Sequence, residues 1–135
     1  MPPNTLMVAR LKGLTAVSDL VGAKIYPMKA PQKVALPYVT YQQISRVPAN
    51  HAMGTTSTNF QRIQVDCWAS SYDGAQALAA AVRGDEAESS PTGLAGWIDG
   101  NSQVWHLQNE MDDIELITVG RDEFEAHRVI QEYFV

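Results

Sequence analysis

The side chains able to do acid–base, nucleophilic or metal chemistry are few: three histidines, one cysteine and a tight group of carboxylates. His51, His106 and His127 show no HExxH spacing, the pattern that turns two imidazoles toward one zinc ion on a helix face. His106 and His127 fall in predicted strands and could meet across a sheet, but ordinary polar strand positions are the commoner explanation. Cys67 shares the apolar side of a predicted strand with Ile63, Val65 and Ala69, which makes it a small core residue rather than an activated thiol. As the only cysteine, it permits no intrachain disulfide and no cysteine zinc cluster. Glu110, Asp112, Asp113 and Glu115 lack the spaced oxygens and central glycine of a calcium loop. In an extended chain Asp112 and Asp113 point to opposite sides, so they read as a solvated edge rather than a catalytic pair. Ser70 and Ser71 have no GxSxG elbow, and Gly93, Gly96 and Gly100 lead into strands instead of opening a helix over a phosphate. The pattern supplies no catalytic residue, no cofactor site and no metal ligand. The expectation is a protein that is not an enzyme.

Length and charge set the frame around those residues. A chain of 135 residues suits one domain, here 1–135, and is long enough for a self-sufficient core. Its apolar fraction of 45% and charged fraction of 19% are those of a globular protein rather than a disordered one. The apolar runs are too short to cross a bilayer, and Met-Pro-Pro-Asn-Thr-Leu lacks the character of a secretory signal, so no membrane partner is expected. Ten basic against fifteen acidic residues give a net charge of −5. Phosphate affinity comes largely from Lys and Arg, so this balance excludes a general DNA-binding surface. It is compatible with a protein that DNA only passes. The tryptophans and tyrosines also fail to alternate with Lys or Arg as a single-strand groove requires.

The elements follow from periodicity. Met7, Leu11, Leu14, Val17 and Val21 recur at helical spacing after Asn4, predicting a helix from about Thr5 to Leu20 that Gly22 ends. Residues 25–36, with Pro27 and Pro31, read as an extended connection. Tyr38 to Ser45 is a strand by its β-branched and aromatic content. Arg46 to Thr58 is small and polar with few core candidates, and predicts a long flexible loop at about 46–58. Phe60 to Ala69 alternates cleanly as a strand. Ser70-Ser71-Tyr72-Asp73 offers N-cap chemistry to a helix whose stripe is Ala75, Leu78, Ala79 and Val82, with Gly84 as its stop. Asp99-Gly100 predicts a hairpin between Trp97-Ile98 and Gln103 to Leu107. Met111 to Val119 and Phe124 to Phe134 read as two further strands around Gly120-Arg121-Asp122. The order is α-β-β-α-β-β-β. This is an α+β fold with one mixed, mainly antiparallel sheet of about five to six strands covered by two helices. Gln42, Gln64, Trp68 and Gln131 are placed on its outer side, where outward aromatics and open strand edges invite another chain.

The order of short motifs adds an independent signal. Leu20-Val21-Gly22, Ala23-Lys24-Ile25-Tyr26-Pro27, Pro31-Gln32 and Leu36-Pro37-Tyr38-Val39-Thr40-Tyr41 precede Gln64-Val65-Asp66-Cys67-Trp68-Ala69-Ser70-Ser71-Tyr72 and an Ala-rich helix. This succession resembles the siphophage tail-completion, or tail-terminator (tail-to-head joining), family. The resemblance is firmest from Val21 to Val82 and loosest after Ser90. It implies a structural virion protein that forms a ring, typically a hexamer, at the head-proximal end of the tail tube. There it would end tube growth and join the tube to the head connector. The implied partners are other copies of itself, the major tail tube protein and a head–tail connector or stopper protein, with DNA passing through the lumen. No cofactor is implied. Matching positions Ile25, Tyr26, Pro27, Pro37, Tyr38, Val65, Trp68 and Tyr72 take structural roles. For partner contacts, the candidates are Arg46, Val47, His51, Met53 and Phe60, in and beside the 46–58 segment. The alternatives are another connector component, a stopper or adaptor, or a small α+β ligand-binding or enzymatic oligomer. Convergent polar groups in a pocket would mark the latter.

Overall fold

The computed structural model describes residues 3–31, 34–51, 54–84, 92–100, 103–119 and 122–135. The predicted first helix is divided in two, α1 (Pro3–Gly13) and α2 (Thr15–Val21). Between them Leu14 is extended at φ −86, ψ 116. Gly13 is a weak helix former, and the β-branched Thr15 follows the break, so the local sequence yields there at little cost. The apolar stripe survives the break: Met7 and Leu11 of α1 and Val17 and Val21 of α2 are all buried. Gly22, at φ 61, closes α2 by donating its N–H to Ser18.

Among the described residues, five strands make one sheet in the order β1-β2-β3-β5-β4. They are β1 (Ile25–Pro27), β2 (Tyr38–His51), β3 (Gly54–Ala69), β4 (His106–Val119) and β5 (Asp122–Phe134). β1 lies parallel to β2, and the other pairs are antiparallel. The α+β class and the mixed, mainly antiparallel sheet are as the sequence predicts, with three helices among the described residues instead of two. The short parallel β1 comes from the segment predicted as a plain connection. Helix α3 (Tyr72–Arg83) crosses between β3 and β4, and Ser71 caps it by accepting from the Gly74 N–H at 3.1 Å.

Two predicted features take another form. The hairpin around Asp99-Gly100 shrinks to a single bridge between Ile98 and Val104. The Asp99 carboxylate ties its two sides, accepting from Gln103 N at 3.0 Å and from Trp105 Nε1 at 3.1 Å. The second is the loop predicted from Arg46 to Thr58. Its backbone continues as β2 to His51 and resumes as β3 at Gly54, with register partners such as Val47 opposite Phe60 and Asn50 opposite Thr55. Ladder hydrogen bonds do not need apolar side chains, so a search for core residues overlooks such a ribbon.

The main core lies between the helices and one sheet face. Ala75, Leu78, Ala79 and Val82 of α3 pack with Ile63, Val65, Cys67 and Ala69 of β3 and with Val129 and Tyr133 of β5. Tyr38, Trp68 and Ala126 form a smaller cluster on the other face, covered by Ala30, Val34 and Leu36. Two residues predicted to face outward are therefore buried. Trp68 is covered by the connection that follows β1, and Gln131 lies in the main core with its side chain fully hydrogen-bonded. Gln42 and Gln64 are half-buried.

Candidate functional site

The residues first considered for chemistry are dispersed. Cys67 is fully buried in the main core, and burial pushes its thiol far up, away from the reactive thiolate. His106 pairs with Phe134 at one end of the sheet, whereas His127 pairs with Ile114 near the other, so they do not meet. Asp112 and Asp113 do point to opposite sides. Asp112 accepts from Gln76 Nε2 at 2.8 Å on the helix side, and Asp113 meets Arg128 on the far side. Both carboxylates are exposed at the sheet edge.

A row of side chains crosses the far face. Tyr38, Trp68, Arg128 and Asp113 are successive register partners on β2, β3, β5 and β4. Tyr26 meets Tyr38 edge-on at 6.4 Å, and Tyr38 meets Trp68 at 6.0 Å. The Trp68 indole donates to Thr40 Oγ1 at 3.0 Å, and the Arg128 guanidinium lies 4.9 Å over its ring. Arg128 also reaches Asp66 at 3.8 Å and Glu115 at 3.9 Å. Burial raises the Asp66 carboxyl above its ordinary range despite the Gln64 and Arg128 groups that pull it down. The hydrogen bond from Arg128, helped by the Ile114 N–H, lowers Asp113.

The positions matching the family pattern divide by burial. Ile25 and Val65 are in the main core, and Tyr38 and Trp68 are in the smaller one. Pro37 follows a cis Leu36–Pro37 bond and is half-buried, Tyr26 is half-buried, and Pro27 is exposed. Tyr72 is 55% exposed at the start of α3 and lines a groove with Gln76, Ile114 and His127.

Both hairpins outrun the body of the sheet. β5 flanks β3 only from Arg62 to Ala69, with Val135 adding hydrogen bonds to Gln61. Beyond Arg46 and Gln61, β2 and β3 therefore pair only with each other among the described residues. At the opposite end β4 and β5 continue alone from Glu115 opposite Ala126 to Val119 opposite Asp122. Four of the five contact candidates are on the first ribbon: Arg46 is exposed, Val47 pairs with Phe60, and His51 pairs with Gly54. Met53 lies outside the described residues. Exposed apolar side chains along the sheet edges were not among the candidates. On β4, Met111 is 48% and Ile114 58% exposed, on opposite faces of one strand. Near β1 and on β2, Met28 and Ile44 are exposed as well.

Such a surface, with open edges and protruding ribbons, suits contact between proteins better than turnover of a small molecule. None of the curated proteins matches the chain. Its fold is similar to a chain in the "Virion of native gene transfer agent (GTA) particle", with a TM-score of 0.59 and 17% identity over 98% of this chain and 93% of that one. The family model described as "Tail completion protein gp17" matches residues 5–95. That span holds α1 to α3 and both hydrophobic clusters' β2 and β3 members, and with it the chain belongs to the tail completion protein gp17 family, a structural protein of the phage tail within the virion.

Proposed function

We propose that this protein forms a ring, a hexamer in the family's usual pattern, that caps the head-proximal end of the tail tube, stops its growth and joins it to the head connector. The observation that carries the reading is the pair of ribbons leaving the sheet at opposite ends. A two-stranded ribbon is marginal in water by itself, so each one gains its stability from a neighbour. A subunit between tube and connector needs contacts on two opposite sides, and ribbons at opposite ends supply them. Arg46, Val47, His51, Met53 and Phe60 then belong to the contact surface of the β2–β3 ribbon. Its partners are the major tail tube protein on one side and a connector or stopper protein on the other. DNA passes through the lumen, where an acidic subunit would not hold it.

Deleting Ala49 to Thr56 tests this reading. The body of the sheet and both clusters lie outside the deletion, so the protein should fold and lose only the ribbon tip's small share of the strand signal in circular dichroism. Negative-stain microscopy with tail tubes should then show bare tips and tubes of irregular length. Tails of normal length assembled with the deletion variant would refute the cap. A stopper or adaptor would likewise leave tube length untouched.

A further inference from the structure

Charge is divided along this chain. From Leu20 through Val65 there are five Lys and Arg residues and no Asp or Glu. From Asp66 to the end there are fourteen acidic and three basic residues. The sheet order converts that division into geometry. β1 and β2 form one edge of the sheet, and β4 forms the other. Arg46 is exposed on the first edge and Lys29 just past β1, whereas Asp112 and Asp113 are exposed on β4; Glu115, also exposed on β4, turns toward Arg128 and lines a far-face pocket with Lys29. Each edge also exposes apolar side chains, Met28 and Ile44 on one and Met111 and Ile114 on the other. Beyond Tyr41, β2 has no β1 residue beside it, and β4 has only β5 as a strand neighbour among the described residues.

Resting on the ring reading, we propose that the acidic β4 edge of one copy docks on the basic β1–β2 edge of the next. Charges on an edge strand commonly serve to keep strands of other molecules away. Here they do so selectively. Two acidic β4 edges repel, so a two-fold dimer through β4 is disfavoured, whereas unlike edges attract. A contact between two different patches of the same protein is heterologous, and it closes into a ring when its rotation allows. The occupant of each edge is therefore a second copy of this chain.

Two reversed full-length variants test the pairing. Asp112→Lys with Glu115→Lys makes both edges basic, and Lys29→Glu with Arg46→Glu makes both acidic. By sedimentation, each variant alone should need roughly tenfold or more the wild-type concentration to assemble. Mixed one to one they should assemble again, because unlike edges alternate. Rescue also shows that both variants fold. Assembly of either variant alone at the wild-type concentration, or no rescue on mixing, would overturn the proposal. A second measurement needs no variant: carbodiimide cross-linking of isotopically light and heavy wild-type copies should join Lys24 or Lys29 of one to a β4 carboxylate of another. Cross-links elsewhere only would count against it. Wild-type protein that stays monomeric alone and on tube tips defeats the ring itself. Wild-type rings indifferent to reversal defeat only the edge pairing.

Discussion

Gln131 sits in the middle of β5 with Val129 and Tyr133 on the same face, and its side chain has no contact with solvent. Its Nε2 donates to Ala79 O at 2.9 Å and to Glu110 Oε2 at 2.9 Å, and its Oε1 accepts from the Tyr133 hydroxyl at 2.7 Å. Glu110 is held in turn by Arg83 at 2.7 Å. A buried amide satisfied at both ends costs little, but removing it strands its partners. Gln131→Leu is expected to lower stability by about 2 kcal/mol, since the Tyr133 hydroxyl and the Ala79 carbonyl lose their partners without water to replace them. Urea unfolding reads this directly, and an unchanged midpoint would mean that the network contributes nothing. Residue type alone gave the wrong side for Gln131, and for Trp68 the right side but the wrong burial. A glutamine between apolar neighbours reads as outward, and nothing near Trp68 in sequence signals that Ala30, Val34 and Leu36 fold over it. Cys67 was legible because its alternation with Ile63, Val65 and Ala69 coincides with its actual burial.

At the scale of elements, the end of α3 shows how closely the chain packs on itself. Leu94 N and Ala95 N donate to the carbonyls of Val82 and Arg83 at 2.9 and 3.0 Å, closing the helix with a distant segment. This approach requires glycine on both sides. A Cβ on Gly93 would lie 2.5 Å from the Arg83 carbonyl carbon, and one on Gly84 would lie 2.1 Å from Gly93 N. Gly93→Ala is therefore expected to cost about 3 kcal/mol, the upper range for forcing atoms into a filled space. Gly13→Ala, with nothing within 4 Å of its Cβ, should instead be neutral or stabilise by up to roughly 1 kcal/mol. A pair of thermal melts with shifts of opposite sign would bear this out, and equal shifts would contradict it. Elements with strong periodicity were readable from the chain alone: α3 with its Ser71 cap, the body of β3, and the two C-terminal strands. The break at Leu14 and the β2–β3 ribbon were not. One preserves the apolar stripe that signals a helix, and the other has no apolar stripe to signal a strand.

For the whole molecule, the net charge of −5 conceals what matters for assembly. The basic and acidic stretches were present in the sequence, but only the order β1-β2-β3-β5-β4 sends them to opposite edges. Averaging over the chain removed the signal, and the topology restores it. The consequence is a dependence on salt whose sign can be stated. Arg128 already engages Asp113 and Glu115 within one copy, which leaves Asp112, held by the neutral Gln76 amide, as the less compensated charge. Exposed charges are screened as the Debye length falls from about 10 Å at 0.1 M to about 3 Å at 1 M salt. If unlike edges attract, the concentration at which copies assemble should rise roughly tenfold over that range of sodium chloride, by the same weakening that lowers steered association. The apolar part of the contact, through Met28, Ile44, Met111 and Ile114, does not weaken with salt, so assembly should persist at higher protein concentration. Sedimentation at a series of salt concentrations separates the two contributions. Assembly that tightens steadily with sodium chloride would mean that the edge charges only keep wrong strands away and that apolar burial alone joins the copies.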